Sequence, residues 1–201
     1  MLQSKLRITT TIFFILIFSS LLLAQSSNVK SITDRAVRDY QSGNYTSAIN
    51  GMERALDIMK NKQSNEYLKL LPQILPGWTR GESSSRPVDP RGIEDGRIVE
   101  QTYNKGRGYV TVTLLVNAPM VNDVKKMLSN SQGTTNRTGY SYELIANKRS
   151  LVRYYDNQNK GEITILAGNN AVAAVFGQNV TLREMKNYAR LFKFSEINKL
   201  K

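Results

Sequence analysis

The spacing of apolar residues divides this chain into a stretch without period, a helical part and a part that alternates. Ile8 to Leu23 carries no charge and is dense in Ile, Phe and Leu. Val29, Ile32, Ala36, Val37 and Tyr40 then recur at three- and four-residue steps, which places them on one helix face. Ser31 with Asp34 reads as its capped start. Gly43-Asn44 is a turn signal. Tyr45, Ala48, Ile49, Met52, Ala55, Leu56 and Met59 form a second apolar face. The prediction is a helical hairpin within residues 25–66.

From Arg97 the period falls to two. Ile98 to Tyr103 predicts a strand and Lys105-Gly106-Arg107-Gly108 a turn. Tyr109 to Val116 is the next strand, with Val110, Val112, Leu114 and Val116 on one face. Pro119 opens a helix that turns Val121, Val124, Met127 and Leu128 inward, and Ser129 to Thr138 is a polar loop. Four further strands follow at Tyr140 to Ala146, Ser150 to Tyr155, Glu162 to Ala167 and Ala171 to Gln178. A closing helix is capped by Thr181, with Glu184 completing a capping box and Val180 and Met185 a hydrophobic staple. Leu182, Met185, Ala189 and Phe192 are its buried stripe, lying close over Ala171, Ala173 and Ala174. Short links imply antiparallel neighbours. The expected fold of residues 97–201 is therefore α+β, an antiparallel sheet of about six strands with two helices packed on one face.

Residues 67–96 have no period. Leu71-Pro72 and Leu75-Pro76-Gly77-Trp78 break any helix. Trp78, the single tryptophan, reads as an apolar plug at the entrance of the sheet domain, or else as a platform on which a ligand stacks. Thr79 to Gly96 is poor in apolar residues and has the composition of a polar linker. Asp89, Glu94 and Asp95 within it match no calcium-loop spacing.

Composition narrows the chemistry. The chain has no histidine and no cysteine. That removes the Ser-His-Asp triad, thiolate nucleophiles, disulfides and the usual zinc ligands. No GxGxxG or Walker pattern is present, and the acids are too scattered to pair as general acid and base. The expectation is a protein that is not an enzyme and holds no cofactor or metal. Lys and Arg number 28 against 16 Asp and Glu, a net charge of +12. Such an excess favours anionic partners, including lipid headgroups and acidic glycans. It forms no run of five or six like charges, so nucleic acid is not expected.

Lys5 and Arg7 precede the apolar stretch, and the small residues Ala24, Ser26 and Ser27 follow it. This is signal-peptide order, with cleavage expected at about Ala24 (residues 1–24). A single uncleaved N-terminal anchor is the alternative, for which the stretch is a little short. The domain is expected in the periplasm or secreted, with membrane contact at most peripheral after cleavage.

Ala36, Gly43, Tyr45, Ala48, Ile49, Ala55 and Leu56 resemble the small/aromatic spacing of one tetratricopeptide repeat, over about 34 residues. The resemblance implies that small residues let the helices approach while Tyr45 and Leu56 fill between them. It also implies a docking face. Lys60 stands where the closing Pro is usual, and no second copy follows. From the LPGW segment onward the chain resembles a family of uncharacterised exported bacterial (periplasmic) proteins. The residues that carry this are Leu75-Pro76-Gly77-Trp78, Leu114-Leu115-Val116, Gly161-Glu162-Ile163 and Ala171 to Gly177. It implies an envelope location and no specific activity.

Two sets of cations are candidates for anion binding. Lys148, Arg149 and Arg153 lie on one predicted hairpin near Tyr154 and Tyr155. Arg183, Lys186 and Arg190, continuing to Lys193, recur along the closing helix. Both sets also read as solvated faces. Tyr40, Tyr45 and Met52 are the candidates for protein docking, unless the hairpin simply packs on its neighbour. The expected function is a non-catalytic interaction or binding module whose partner is an envelope protein or an anionic lipid or glycan. The alternative is a carrier of a small or lipidic ligand held between sheet and helices; an enzyme using carboxylate, Tyr or Lys chemistry is a distant third.

Overall fold

The computed structural model describes residues 28–89, 96–129 and 139–200. Residues 1–27, which include the expected signal peptide, residues 90–95 of the expected linker and nearly all of the expected 129–138 loop lie outside the described residues. The chain divides into two compact units at Gln63/Ser64.

In the first unit, helices α1 (residues 28–41) and α2 (Tyr45–Leu68) form the hairpin. Gly43 takes the left-handed backbone of the turn at φ +79°, where a Cβ is disfavoured. Asn44 caps α2, its side chain accepting the Ser47 N–H at 3.3 Å. Ala36, Ala48 and Ala55 are buried. A Cβ on Gly51 would come within 2.8 Å of the Ala36 Cβ. The helices therefore close directly on small residues, which leaves no gap for larger ones. Tyr45 and Leu56 do not fill the seam as the repeat-like spacing implied; they are 60% and 45% exposed. Ser31 does not cap α1, which is already helical at residue 28.

The second unit is α+β. Among the described residues its antiparallel sheet has seven strands in the order β1-β2-β3-β7-β6-β5-β4. These are β1 (Thr79–Pro87), β2 (Arg97–Lys105), β3 (Gly108–Val116), β4 (Ser141–Ile145), β5 (Lys148–Tyr155), β6 (Lys160–Gly168) and β7 (Ala171–Gln178). Six lie where alternation placed them. The seventh, β1, is made from residues expected to be linker. It pairs antiparallel with β2 from Thr79 to Pro87, with a bulge between Arg80 and Ser83. An edge strand pairs through its backbone and can stay polar on both faces, so it leaves no hydrophobic alternation to read.

The expectation that the helices share one face is corrected. Helix α4 (Leu182–Arg190) and the short α5 (Phe194–Ile197) pack on the face of Val99, Val112, Leu114, Ile163, Ala173 and Val175. Helix α3 (Met120–Ser129) packs on the opposite face, over Leu115, Leu151 and Val172. The β3 alternation ends in Leu114-Leu115-Val116, so both sides of the sheet are apolar at that end and both need covering. Ala174 accordingly points away from α4, whereas Ala171 and Ala173 lie beneath the helix-bearing core. The capping box of α4 forms as expected, with the Thr181 hydroxyl accepting the Glu184 N–H and the Glu184 carboxylate accepting from Thr181 N. Val180 and Met185 are both buried, and a Cβ on Gly177 would strike them at 2.6–2.7 Å.

Candidate functional site

Helix α2 ends at Leu68 and the chain turns at Pro72 because proline cannot continue a helix. Leu70 and Leu71 plug into the main core, as do Tyr67 and Trp78. Trp78 is therefore core, 7% exposed, and not an open stacking platform. Two tyrosines hold this segment from the sheet side. The Tyr103 hydroxyl of β2 donates to the Pro72 carbonyl. The Tyr188 hydroxyl of α4 accepts the Leu75 N–H at 3.5 Å. From the α4–α5 turn, the Lys193 N–H donates to the Leu70 carbonyl at 3.3 Å.

Between this segment and the β1–β2 edge lies a cleft of about 340 Å³. Lys69, Pro72 and Gln73 line one side, and Arg80, Ser83, Gln101 and Tyr103 the other, with Lys193 between. The floor is fixed by Gln101, which is 6% exposed. Its amide N–H groups donate to the carbonyls of Gly81, Glu82 and Thr102 at 3.0, 3.1 and 2.8 Å. That holds the β1 bulge open beside Arg80.

The electrostatics of the cleft are one-signed. Lys69, Arg80 and Lys193 come from three separate segments, and no acid is among the lining residues. Lys69 also pairs with the exposed Glu66 at 2.8 Å. Burial raises the Tyr103 hydroxyl above its ordinary pKa, and the charge and hydrogen bond of Arg80 pull it partly back. Tyr103 therefore stays a neutral donor at neutral pH. The arrangement offers cationic groups to an anion, with Gln73 and Ser83 as uncharged polar groups beside them; the Tyr103 hydroxyl and the Gln101 amide are already engaged by backbone carbonyls and shape the wall instead.

The cations singled out from the sequence do not gather into one site. Lys148 sits 5.4 Å from the centre of the Phe194 ring, on the α4 face. Arg149 lies on the other face, 6.0 Å over Tyr142. Arg153 is 4.5 Å over Tyr140 and bonds Glu162 at 2.5 Å. Period two explains the split, since Lys148 and Arg149 are neighbours on a strand. On α4, Lys186 pairs with Glu143 at 2.6 Å, Arg190 donates to Asn187 at 3.4 Å, and Arg183 is exposed. Lys193, at the end of that predicted stripe, lies beyond α4 and is the member that reaches the cleft. Tyr40 and Tyr45 are exposed and touch, with ring centroids 5.6 Å apart, and Met52 is 42% exposed. Sequence reasoning missed Lys69, Arg80, Gln101 and Tyr103. They converge only when β1 pairs with β2, and β1 has no sequence signal beyond its proximity to Trp78.

Among the described residues, no group of three or more His, Cys, Asp or Glu could hold a metal ion, and no helix is long and apolar enough to cross a membrane. No family model, curated protein or solved structure matches the chain.

Proposed function

We propose that the chain is an exported binding module of the cell envelope, periplasmic or secreted, and that its ligand is a small anion held in the cleft. The observation that carries the reading is the convergence of Lys69, Arg80 and Lys193 on a cavity without a lining carboxylate. The order of charge, apolar stretch and small residues at the N-terminus supports export. This narrows the carrier alternative. The lining is mostly polar, so the ligand is small and charged rather than lipidic. A volume of about 340 Å³ lies at the low end for ligand pockets, which span roughly 300–1,000 Å³.

The test is thermal unfolding and calorimetric titration with inorganic phosphate, sulfate and citrate, against sodium chloride at equal ionic strength. A ligand that binds only the folded state raises Tm with concentration. The expected result is a rise with one of these anions that exceeds the chloride control and disappears in the Arg80→Ser/Lys193→Ser double variant. Equal shifts in anion and control, or an undiminished shift in the variant, would overturn the cleft as the site.

A further inference from the structure

The hairpin unit carries a second, independent surface. Tyr45, Ile49, Met52, Leu56 and Met59 are each between 42% and 60% exposed on α2. Their spacing alternates four and three residues, which is the seam of a two-helix coiled coil. Tyr40 of α1, in contact with Tyr45, extends the stripe onto the neighbouring helix, and Val37 continues it at 41% exposure. Scattered exposed apolar residues are ordinary, but a continuous stripe of this length marks an interaction surface.

We infer that this face is a self-association surface, occupied by the same face of a second copy of the chain. The seam is about 21 Å long at the helical rise of 1.5 Å per residue. An antiparallel copy brings Tyr45 opposite Met59 and Met52 near its own counterpart, as a two-fold interface requires. At roughly 150–250 Å² for a fully open large side chain, the observed exposures leave about 540–900 Å² of such surface per chain. Two copies would cover roughly 1,100–1,800 Å², which overlaps the range of specific interfaces. Charge selects the same occupant. Residues 28–63 carry four acids and six bases, nearly balanced, while most of the basic excess lies elsewhere. An acidic partner would find little to prefer here, whereas two near-neutral faces of mixed sign can meet without strong repulsion.

The test uses the full chain and its lack of cysteine. Sedimentation equilibrium from about 1 to 100 μM, a range that spans ordinary weak-to-moderate affinities, is expected to show a monomer–dimer equilibrium. Ile49→Glu/Leu56→Glu is expected to give monomer with unchanged helix content. Met52→Cys is expected to cross-link rapidly to a second copy under mild oxidation, while Arg54→Cys, on the opposite side of α2, is not. A wild-type monomer throughout the range would overturn the inference. So would a dimer in which Met52→Cys cross-links no faster than Arg54→Cys, because another surface would then hold the copies together. The cysteine pair keeps the result readable if the glutamate variant fails to fold.

Discussion

The ring of Tyr188 lies on the ring of Tyr103 with centroids 4.6 Å apart and planes 20° from parallel. Tyr103 comes from β2 and Tyr188 from α4, and both rings are almost wholly buried. Trp78 meets Tyr188 edge-on at 5.1 Å. The two hydroxyls point the same way, to Pro72 and Leu75. The stack thus joins the sheet, the closing helix and the Leu-Pro segment that walls the cleft.

Replacing Tyr188 separates the ring from its hydroxyl. Tyr188→Phe keeps the stack and loses one hydrogen bond, which is expected to cost about 1 kcal/mol. Tyr188→Ala opens a cavity at the junction and is expected to cost about 3–5 kcal/mol. Urea unfolding measures both. Equal losses would mean that the polar clasp, not the ring, holds the segment.

The tyrosines also set the alkaline limit of stability. Burial is the largest cause of the rise to about 12 for both Tyr188 and Tyr140; at Tyr140 the hydrogen bond and charge of Glu162 add to it. In the unfolded chain these groups ionise near pH 10. Between pH 10 and about 12 the folded state therefore holds protons that the unfolded state has lost, and stability falls as pH rises. Their contribution is complete below pH 10. Absorbance titration near 295 nm should show a class of tyrosines ionising well above the rest. Denaturant midpoints should decline over the same window. A single ordinary titration would count against the buried assignments.

The cap of α4 makes an acid-side prediction. Burial pushes the Glu184 carboxyl up, but the Lys105 hydrogen bond and the Thr181 bonds outweigh it and hold the pKa below the ordinary value. The stability it contributes is present above the unfolded pKa and is lost as pH falls through the folded one. Thr181→Ala is expected to cost about 1 kcal/mol at neutral pH. Thr181→Ser should cost little. The difference between Ala and wild type should shrink as pH falls below the ordinary carboxylate range and Glu184 takes up its proton.

One substitution is expected to stabilise. Ala146 and Asn147 link β4 to β5 with φ of +50° and +60°, a two-residue turn that asks for left-handed backbone at both positions. Alanine is strained there by about 1–2 kcal/mol. Ala146→Gly is expected to raise stability by about 0.5 kcal/mol after glycine's larger chain-entropy loss. Ala146→Val should lower it. Thermal midpoints of the three proteins give the order.

The hairpin, the six alternating strands, the turn between β2 and β3 and the capped helix α4 were all legible in the sequence. Each is set by a local period or by groups a few residues apart, such as Thr181 with Glu184. Three features were not. Strand β1 consists mostly of exposed polar residues ordered by pairing with β2. The face chosen by α3 depends on apolar residues from β3, β5 and β7 that meet only in the sheet. The seam of the hairpin is closed by Ala36 and Gly51, so Tyr45 and Leu56 turn outward, although spacing alone allowed them inside.

The same division applies to the site. A basic, cysteine-free and histidine-free composition determined by itself which chemistries are closed to this protein and that its charge favours anions. Which cations face one another was decided by the tertiary structure. Period two separates Lys148 from Arg149, whereas the β1–β2 pairing and the turn before α5 bring Lys69, Arg80 and Lys193, far apart in the chain, to one cleft. Sequence period reports which face of its own element a residue occupies. The partner across that face depends on contacts between elements distant in the chain, which local spacing does not encode.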